Sequence, residues 1–324
     1  MHIVPSLFDF DDGVIGGAER YAYELARAMS DVTPTRLIAF GKQRKENSIG
    51  NLYVTVLPAD FFVKGNPHNP FSLAWLPYLA QTDVIHCHQQ HVLISSLIAL
   101  SARIMGKRVF VTDLGGGGWD LSAYFSTDSW YHGHLHISQY SKNYAGHQNW
   151  PQAQVIYGGV DIKKFKPKPQ KENDPYALFV GRLLPHKGVH DLIEAIDNDM
   201  KLIIVGQGLD SNYLAVLRKM AAGKKIEFCL NVRDEELIVL YQDALCIVLP
   251  SVFENRYGAT PVPELLGQTL LEGMACGIPA ISSNAASLPE VVIDGETYYV
   301  VDGAQYKPVV VENGEIWYEV IKAN

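Results

Sequence analysis

The 324-residue sequence has only four cysteines, Cys87, Cys229, Cys246 and Cys276, and no CxxC pair. A disulfide framework is excluded, and buried thiols in a reducing compartment are expected. Long apolar runs are also missing: Val92 to Met105 is short and broken by serines, so no membrane span is expected. Met1 to Asp12 carries acids where a signal peptide carries bases. These absences point to the cytoplasm and leave peripheral membrane contact open. Basic residues are in short supply, 27 Lys+Arg against 35 Asp+Glu for a net charge of −8. That excludes general nucleic-acid binding, while a small cationic site for an anionic ligand stays compatible with it. The acidity lies in the second half, because residues 1–165 hold 13 basic and 13 acidic residues and 166–324 hold 14 and 22.

What is present is an apolar content of 48% on a chain long enough for two cores. Short apolar runs recur at Arg36 to Phe40, Val84 to His88, Arg108 to Thr112, Gln154 to Tyr157, Ala177 to Gly181, Leu202 to Gly206, Lys225 to Leu230, Leu245 to Pro250 and Pro279 to Ser282. They read as buried parallel strands. Between them, Ala18, Tyr21, Ala22, Leu25, Ala26 and Met29 keep helical spacing, as do Val189, Leu192, Ile193 and Ile196. Alternation of this kind predicts an α/β chain with parallel sheets and right-handed crossovers. The one composition break is Lys163 to Pro175, with five lysines and three prolines, and it predicts a linker between domains 1–165 and 166–324. Two facing doubly wound sheets would gather ligands in an interdomain cleft, at the carboxyl ends of their strands.

Three features carry candidate chemistry. Gly16-Gly17 precedes the first helix, where free N–H groups suit a phosphate; a plain strand-to-helix turn is the alternative. Arg182 and Lys187 flank a loop at the end of an apolar run and fit either a diphosphate clamp or two solvated surface cations. Glu264 and Glu272 stand eight residues apart around a helix start near Gly267, a rise of about 12 Å if wholly helical, too far for an acid/base dyad. A nucleotide sugar laid across that helix start would set its phosphates on the N–H groups of Gln268 and Thr269.

With these residues in place the chain resembles the retaining glycosyltransferases of family 4, in GGAERYAYELA (16–26), DVIHCH (83–88), VIYGGVDIKKF (155–165), VGRLLPHKG (180–188), Glu264-x7-Glu272 and LPEVVIDGE (288–296). The resemblance implies the GT-B fold, with an N-terminal acceptor-side domain and a C-terminal nucleotide-sugar domain, both Rossmann-like. It implies metal-independent transfer of a hexose from a nucleoside diphosphate sugar, UDP favoured over GDP, to a hydroxyl of a glycan, lipid or small glycoside, with no cofactor beyond the donor. Arg182 and Lys187 would hold the diphosphate, Glu264 the sugar hydroxyls and Glu272 the ribose, while Gly16 and Gly17 would close over the phosphates. Backbone groups around Val232 would meet the base.

Several positions depart from the family pattern. Thr112-Asp113-Leu114 stands where many members have Thr-x-His, so Asp113, with His88, is the acceptor-side candidate. Glu254 to Pro263 is an insertion expected to line the cleft, and Tyr298 replaces a glycine. The ending from Val309 to Asn324 is expected to supply one short helix or strand in place of the family's closing helices, which implies a loose domain clamp or an incomplete chain. His86, His88, His91, His132, His134 and His136 have metal-like spacing but no matching carboxylate or cysteine cluster in sequence, so the site is allotted no metal. The Gly115 to Gly118 run before Trp119 reads as a cleft loop. A nucleotide-sugar-binding regulatory subunit and a GT-B epimerase or phosphorylase remain as alternatives. An NAD-linked oxidoreductase is disfavoured, because Gly206-Gln207-Gly208 lacks the third glycine and the downstream acid.

Overall fold

The computed structural model describes residues 1–7, 17–115, 118–168, 174–208, 210–293, 296–297, 299–301, 304–310 and 316–322. Gly16, residues 169–173 of the linker, Asp294, Gly295 and Tyr298 therefore lie outside the described residues. The chain divides into two compact units, Met1–Ile156 and Tyr157–Asn324, whereas the linker composition had set the boundary at 165/166.

In the first unit, β1 (His2–Leu7), β2 (Thr35–Gly41), β3 (Lys45–Ile49), β4 (Leu52–Pro58), β5 (Val84–His88), β6 (Arg108–Thr112), β7 (Gly133–His136) and β8 (Ala153–Val155) form one sheet ordered β8-β7-β6-β5-β1-β2-β4-β3. Pairing is parallel except for the edge strand β3 on β4. Alternation along the strands sends neighbours to opposite faces. Val4, Leu37 and Leu52 meet Ala22 and Ala26 of α1 (Gly17–Ser30) on one side. Ile3, Ile38 and Ile85 pack with Leu79 of α2 (Leu76–Ala80) and with Ile94, Ile98 and Ala102, which α3 (Leu93–Ile104) presents at helical spacing, in the other cluster. Helices on both faces explain why these strands read as near-continuous apolar runs.

A histidine trio is built into this layer. His2 is in register with His86, His2 Nδ1 lies 2.9 Å from His88 Nε2, and His86 Nε2 lies 2.8 Å from Thr112 Oγ1. Burial pushes the His86 imidazole down to about 4 and holds His2 and His88 well below the usual histidine range, with repulsion from His86 adding to both. Rings that stay neutral when folded and titrate near 6.5 when unfolded bind fewer protons in the native state, so stability falls as the pH drops from about 6.5 towards 4. From His86 alone, moving from pH 7.5 to pH 5 is expected to remove about 2 kcal/mol, with His2 and His88 acting in the same direction. Urea unfolding at the two pH values checks this, and equal stabilities would show that the trio is not held neutral.

In the second unit, β9 (Tyr176–Val180), β10 (Lys201–Val205), β11 (Ile226–Cys229), β12 (Cys246–Leu249) and β13 (Ala280–Ser282) form a wholly parallel sheet ordered β11-β10-β9-β12-β13. Their connections run through α5 (Val189–Ala195), α6 (Ser211–Met220), α7 (Asp234–Asp243) and α8 (Gln268–Ala275). All five residues of the central strand β9 are buried. The order reverses between β9 and β12, and crevices outside the strand ends at such switch points are the ligand sites of open α/β sheets. The insertion holds a small hairpin of Glu254–Asn255 on Gly258–Ala259. The ending does supply a strand, Ile316–Lys322, the last of a three-stranded antiparallel sheet with Tyr299–Val301 and Ala304–Val310. Among the described residues, no helix is long and apolar enough to cross a membrane.

Candidate functional site

The switch point of the second unit is shaped by a tight turn. After β9 the chain passes Gly181 and Arg182, then makes a 3-10 turn at Pro185–Lys187 that Gly188 closes in the left-handed region at φ 68°. A Cβ at Gly188 would stand 2.0 Å from the Pro250 carbonyl oxygen, so the turn lies directly on the chain leaving β12. The chain after β12 reinforces it: the Val252 N–H donates to the His186 carbonyl at 2.9 Å, and Asn255 Nδ2, in the insertion, to the Pro185 carbonyl at 2.7 Å.

That turn delivers Lys187 to the start of the Glu-x7-Glu segment. Lys187 Nζ lies 2.6 Å from Glu264 Oε2 and donates to the Pro263 carbonyl at 3.2 Å, with both side chains of the pair largely enclosed. Arg182 is exposed, and among the described residues its side chain makes no hydrogen bond or ion pair, while its carbonyl accepts from the Leu184 N–H at 2.9 Å. Burial, with repulsion from Lys187 and then Arg182, pushes the His186 imidazole down to about 4. His186 is thus uncharged at neutral pH, and the loop's charge is that of its two cations.

Gly267 caps α8 in a left-handed conformation (φ 84°), and no side chain caps the helix start. Gln268 and Thr269, both half-buried, open its first turn. Backbone N–H groups there join the partial positive charge of the helix end. Gln268 Nε2 donates to the Gly159 carbonyl at 3.0 Å. Glu272 is buried, and its Oε2 accepts from the Tyr241 hydroxyl at 2.8 Å. Val232 lies half-buried between β11 and α7, beside Arg233, whose N–H is engaged by Glu236 at 3.0 Å.

The structure therefore joins Lys187 to Glu264 and sets Gly267, Gln268, Thr269 and Glu272 along one helix. Tyr241 escaped the sequence reading, since no local spacing ties it to the motifs, and Asn255 and Pro263 entered it only as members of the insertion, without the contacts they make. On the first unit, Gly17 opens α1. His88 ends β5 and Asp113 follows Thr112, the register partner of His88, so the two acceptor-side candidates share the carboxyl ends of neighbouring strands. His88 is buried, whereas Asp113 is half-buried and accepts from the Gly115 N–H at 3.3 Å. A surface pocket of about 580 Å³ on this unit is lined by Lys64, Asn66, His91, Trp119 and Ser122 among others. Trp119 is fixed there by the 2.7 Å bond from Asn69 Nδ2 to its carbonyl, and Lys64 Nζ stands 5.5 Å from its ring centre.

Two family profiles match the chain in succession. The one described as Glycosyltransferase Family 4 covers residues 15–164, and the one described as Glycosyl transferases group 1 covers residues 161–310. A GDP-mannose-dependent alpha-(1-6)-phosphatidylinositol monomannoside mannosyltransferase of Mycolicibacterium smegmatis is 29% identical over 202 residues, 56% of this chain and 51% of the relative. The O-antigen chain mannosyltransferase RfbU of Salmonella typhimurium is 32% identical over 168 residues, 50% of this chain and 44% of the relative. The chain spans about half the length of the curated relatives it matches. Among solved structures, sucrose-phosphate synthase from Thermosynechococcus elongatus superposes with a TM-score of 0.67 at 18% identity, over 90% of this chain and 82% of that one. The catalytic domain of starch synthase IV from Arabidopsis thaliana gives 0.65 at 16% identity, over 97% and 89%. With both profiles in sequence and two parallel-sheet units, the chain belongs to glycosyltransferase family 4, the group 1 glycosyl transferases, and has the GT-B fold.

Proposed function

We propose that the protein is a retaining glycosyltransferase that moves a hexose from a nucleoside diphosphate sugar to a hydroxyl acceptor, without a metal in the transfer step. The observation that carries this reading is the Lys187–Glu264 pair at the switch point beside the uncapped start of α8. In it, Lys187 and Arg182 neutralise the diphosphate, a leaving group on which negative charge grows as the glycosidic bond breaks, so their contacts strengthen towards the transition state. The N–H groups at Gln268 and Thr269 add the helix-end charge. Glu264, anchored by Lys187, meets hydroxyls of the transferred sugar; Glu272, oriented by Tyr241, meets the ribose; backbone around Val232 meets the base. Retention follows if the acceptor hydroxyl attacks from the face that the diphosphate leaves and passes its proton to a phosphate oxygen. His88 and Asp113 lie on the acceptor side, and the Trp119 pocket offers the aromatic face and polar rim that a hydroxylated acceptor needs.

Uridine is the donor base expected above, the sequence itself naming none, whereas the mycobacterial relatives are named for GDP-mannose, so the base is put to direct test. Thermal unfolding is run with UDP, GDP and ADP in turn, on the wild type and on Arg182→Ala/Lys187→Ala. One nucleotide at 100 times its Kd is expected to stabilise the wild type by about 2.7 kcal/mol, and the double variant is expected to lose that gain. A shift that survives in the double variant would remove the clamp from the reading. No shift with any nucleotide would favour a regulatory subunit that works only with a partner.

A further inference from the structure

Outside the donor-side residues, the first unit gathers a second group of ligand-type side chains. Donor-capable atoms of Asp128, His134 and His147 all lie within 4.8 Å of one another. Three separate local structures bring them there. Asp128 opens the 3-10 turn Asp128–Trp130. His134 and His136 occupy alternate positions of β7 and so point to one face. Beyond α4 (Gln139–Tyr144), a left-handed Gly146 (φ 74°) and a 3.0 Å bond from the His147 N–H back to the Lys142 carbonyl turn the chain so that His147 comes back to the strand.

The hydrogen bonds around the group set the tautomers. His134 Nε2 faces the Asp128 carbonyl oxygen at 3.2 Å; a carbonyl only accepts, so Nε2 carries the proton and Nδ1 keeps a lone pair. That Nδ1 is buried and has no hydrogen-bond partner, on a side chain only 1% exposed. His147 Nδ1 lies 3.1 Å from His136 Nε2, a pairing that lets His147 donate through Nδ1 and free Nε2 as a ligand. The Asp128 carboxylate accepts from Ser126 Oγ at 3.0 Å and from Gln90 Nε2. Each ligand-type group therefore has a partner that orients it, the pattern seen around protein-bound metals.

We propose that Asp128, His134 and His147 bind one divalent zinc ion, which ties the 3-10 turn, β7 and the segment after α4 together. An imidazole and carboxylate set suits zinc, and three protein ligands leave the fourth tetrahedral position to water. Ligand atoms at zinc-bond length stand about 3.3 Å apart in a tetrahedron, so the group, whose atoms lie within 4.8 Å of one another, draws in by up to about 1.5 Å to close on the ion. The carboxylate offsets part of the ion's charge. The other trio, His2, His86 and His88, offers no carboxylate and is the weaker candidate for a doubly charged ion. The ion would hold these three segments together, independently of the sugar donor.

The test uses the untagged full-length chain, stripped with a chelator and titrated with zinc chloride. One zinc per chain by elemental analysis is expected, with a melting temperature raised by about 5 °C at saturating metal. Affinity is expected to fall at least about tenfold in His134→Asn and in His147→Gln, as for loss of a ligand or its support, and to persist in His86→Gln. Cobalt substituted into the wild type is expected to give the intense visible absorption of a tetrahedral site. It is also expected to quench Trp150, whose ring stacks on His147 at 4.5 Å; this readout needs no variant to fold. Absence of a zinc-induced rise and of a cobalt spectrum would overturn the proposal. So would binding that persists in His147→Gln or that is lost in His86→Gln.

Discussion

Lys187→Ala is expected to lower turnover of the nucleotide sugar by about 10²- to 10³-fold, the usual cost of removing one preorganised donor from a site where negative charge develops. The same change strands Glu264. With side chains only 10% and 16% exposed, the pair is close to a buried one, and deleting one partner is expected to cost about 3 kcal/mol of stability. Glu264→Ala is expected to fail in both respects for the converse reason. The double variant separates the two roles: removing both charges is expected to restore part of the stability, because no unpaired charge remains, and none of the activity. The measurements are chemical unfolding and release of nucleoside diphosphate from the donor, with water as the acceptor if no other is in hand. Near-wild-type release in Lys187→Ala and Glu264→Ala would leave the pair a purely structural contact and return the regulatory reading.

Gly188→Ala is expected to cost about 4 kcal/mol or more, in the range reserved for severe local conflicts. Two effects add. The left-handed backbone at φ 68° disfavours any side chain, and the new Cβ would stand 2.0 Å from the Pro250 carbonyl oxygen, so the turn and the chain leaving β12 must part. Gly223→Ala is the matched control: its backbone is also left-handed, at φ 82°, but nothing lies within 4 Å of the added atom. The control is expected to cost about 1–2 kcal/mol, the conformational term alone. Urea unfolding of both variants gives the comparison. Equal losses would mean that the approach of Gly188 to Pro250 does not hold in solution. A large loss at Gly188 is also expected to weaken nucleotide binding, since the turn that carries Lys187 moves with it.

Much of the architecture was legible in the sequence because its determinants are local. Val84–His88 and Arg108–Thr112 form strands with the bounds read from their apolar runs, since the buried residues Ile85 and Cys87 stand in register with the buried Val109 and Val111 in neighbouring strands of the parallel sheet. The helix at Gly17–Ser30 follows from residues spaced to line one face. The three-stranded antiparallel sheet near the end was less legible: its strands Ala304–Val310 and Ile316–Lys322 are mixed in polarity and stand outside the parallel layer. The histidines were harder still. Period-two spacing marked His134 and His136, but neither Asp128 nor His147 is a strand neighbour, and only the 3-10 turn and the Gly146 turn bring them in.

By itself the sequence determined the α/β class, the placement of most core strands and the segments that mark the family, because burial on a pleated strand and one-sided burial on a helix are written in residues a few positions apart. Only the tertiary structure decided which of those segments meet. Lys187 and Glu264 are 77 residues apart, Tyr241 and Glu272 are 31 apart, and Gly188 touches Pro250 across the reversal of strand order between β9 and β12. Such pairings depend on sheet order and on how each loop folds at the strand ends, and no periodicity in the chain encodes them.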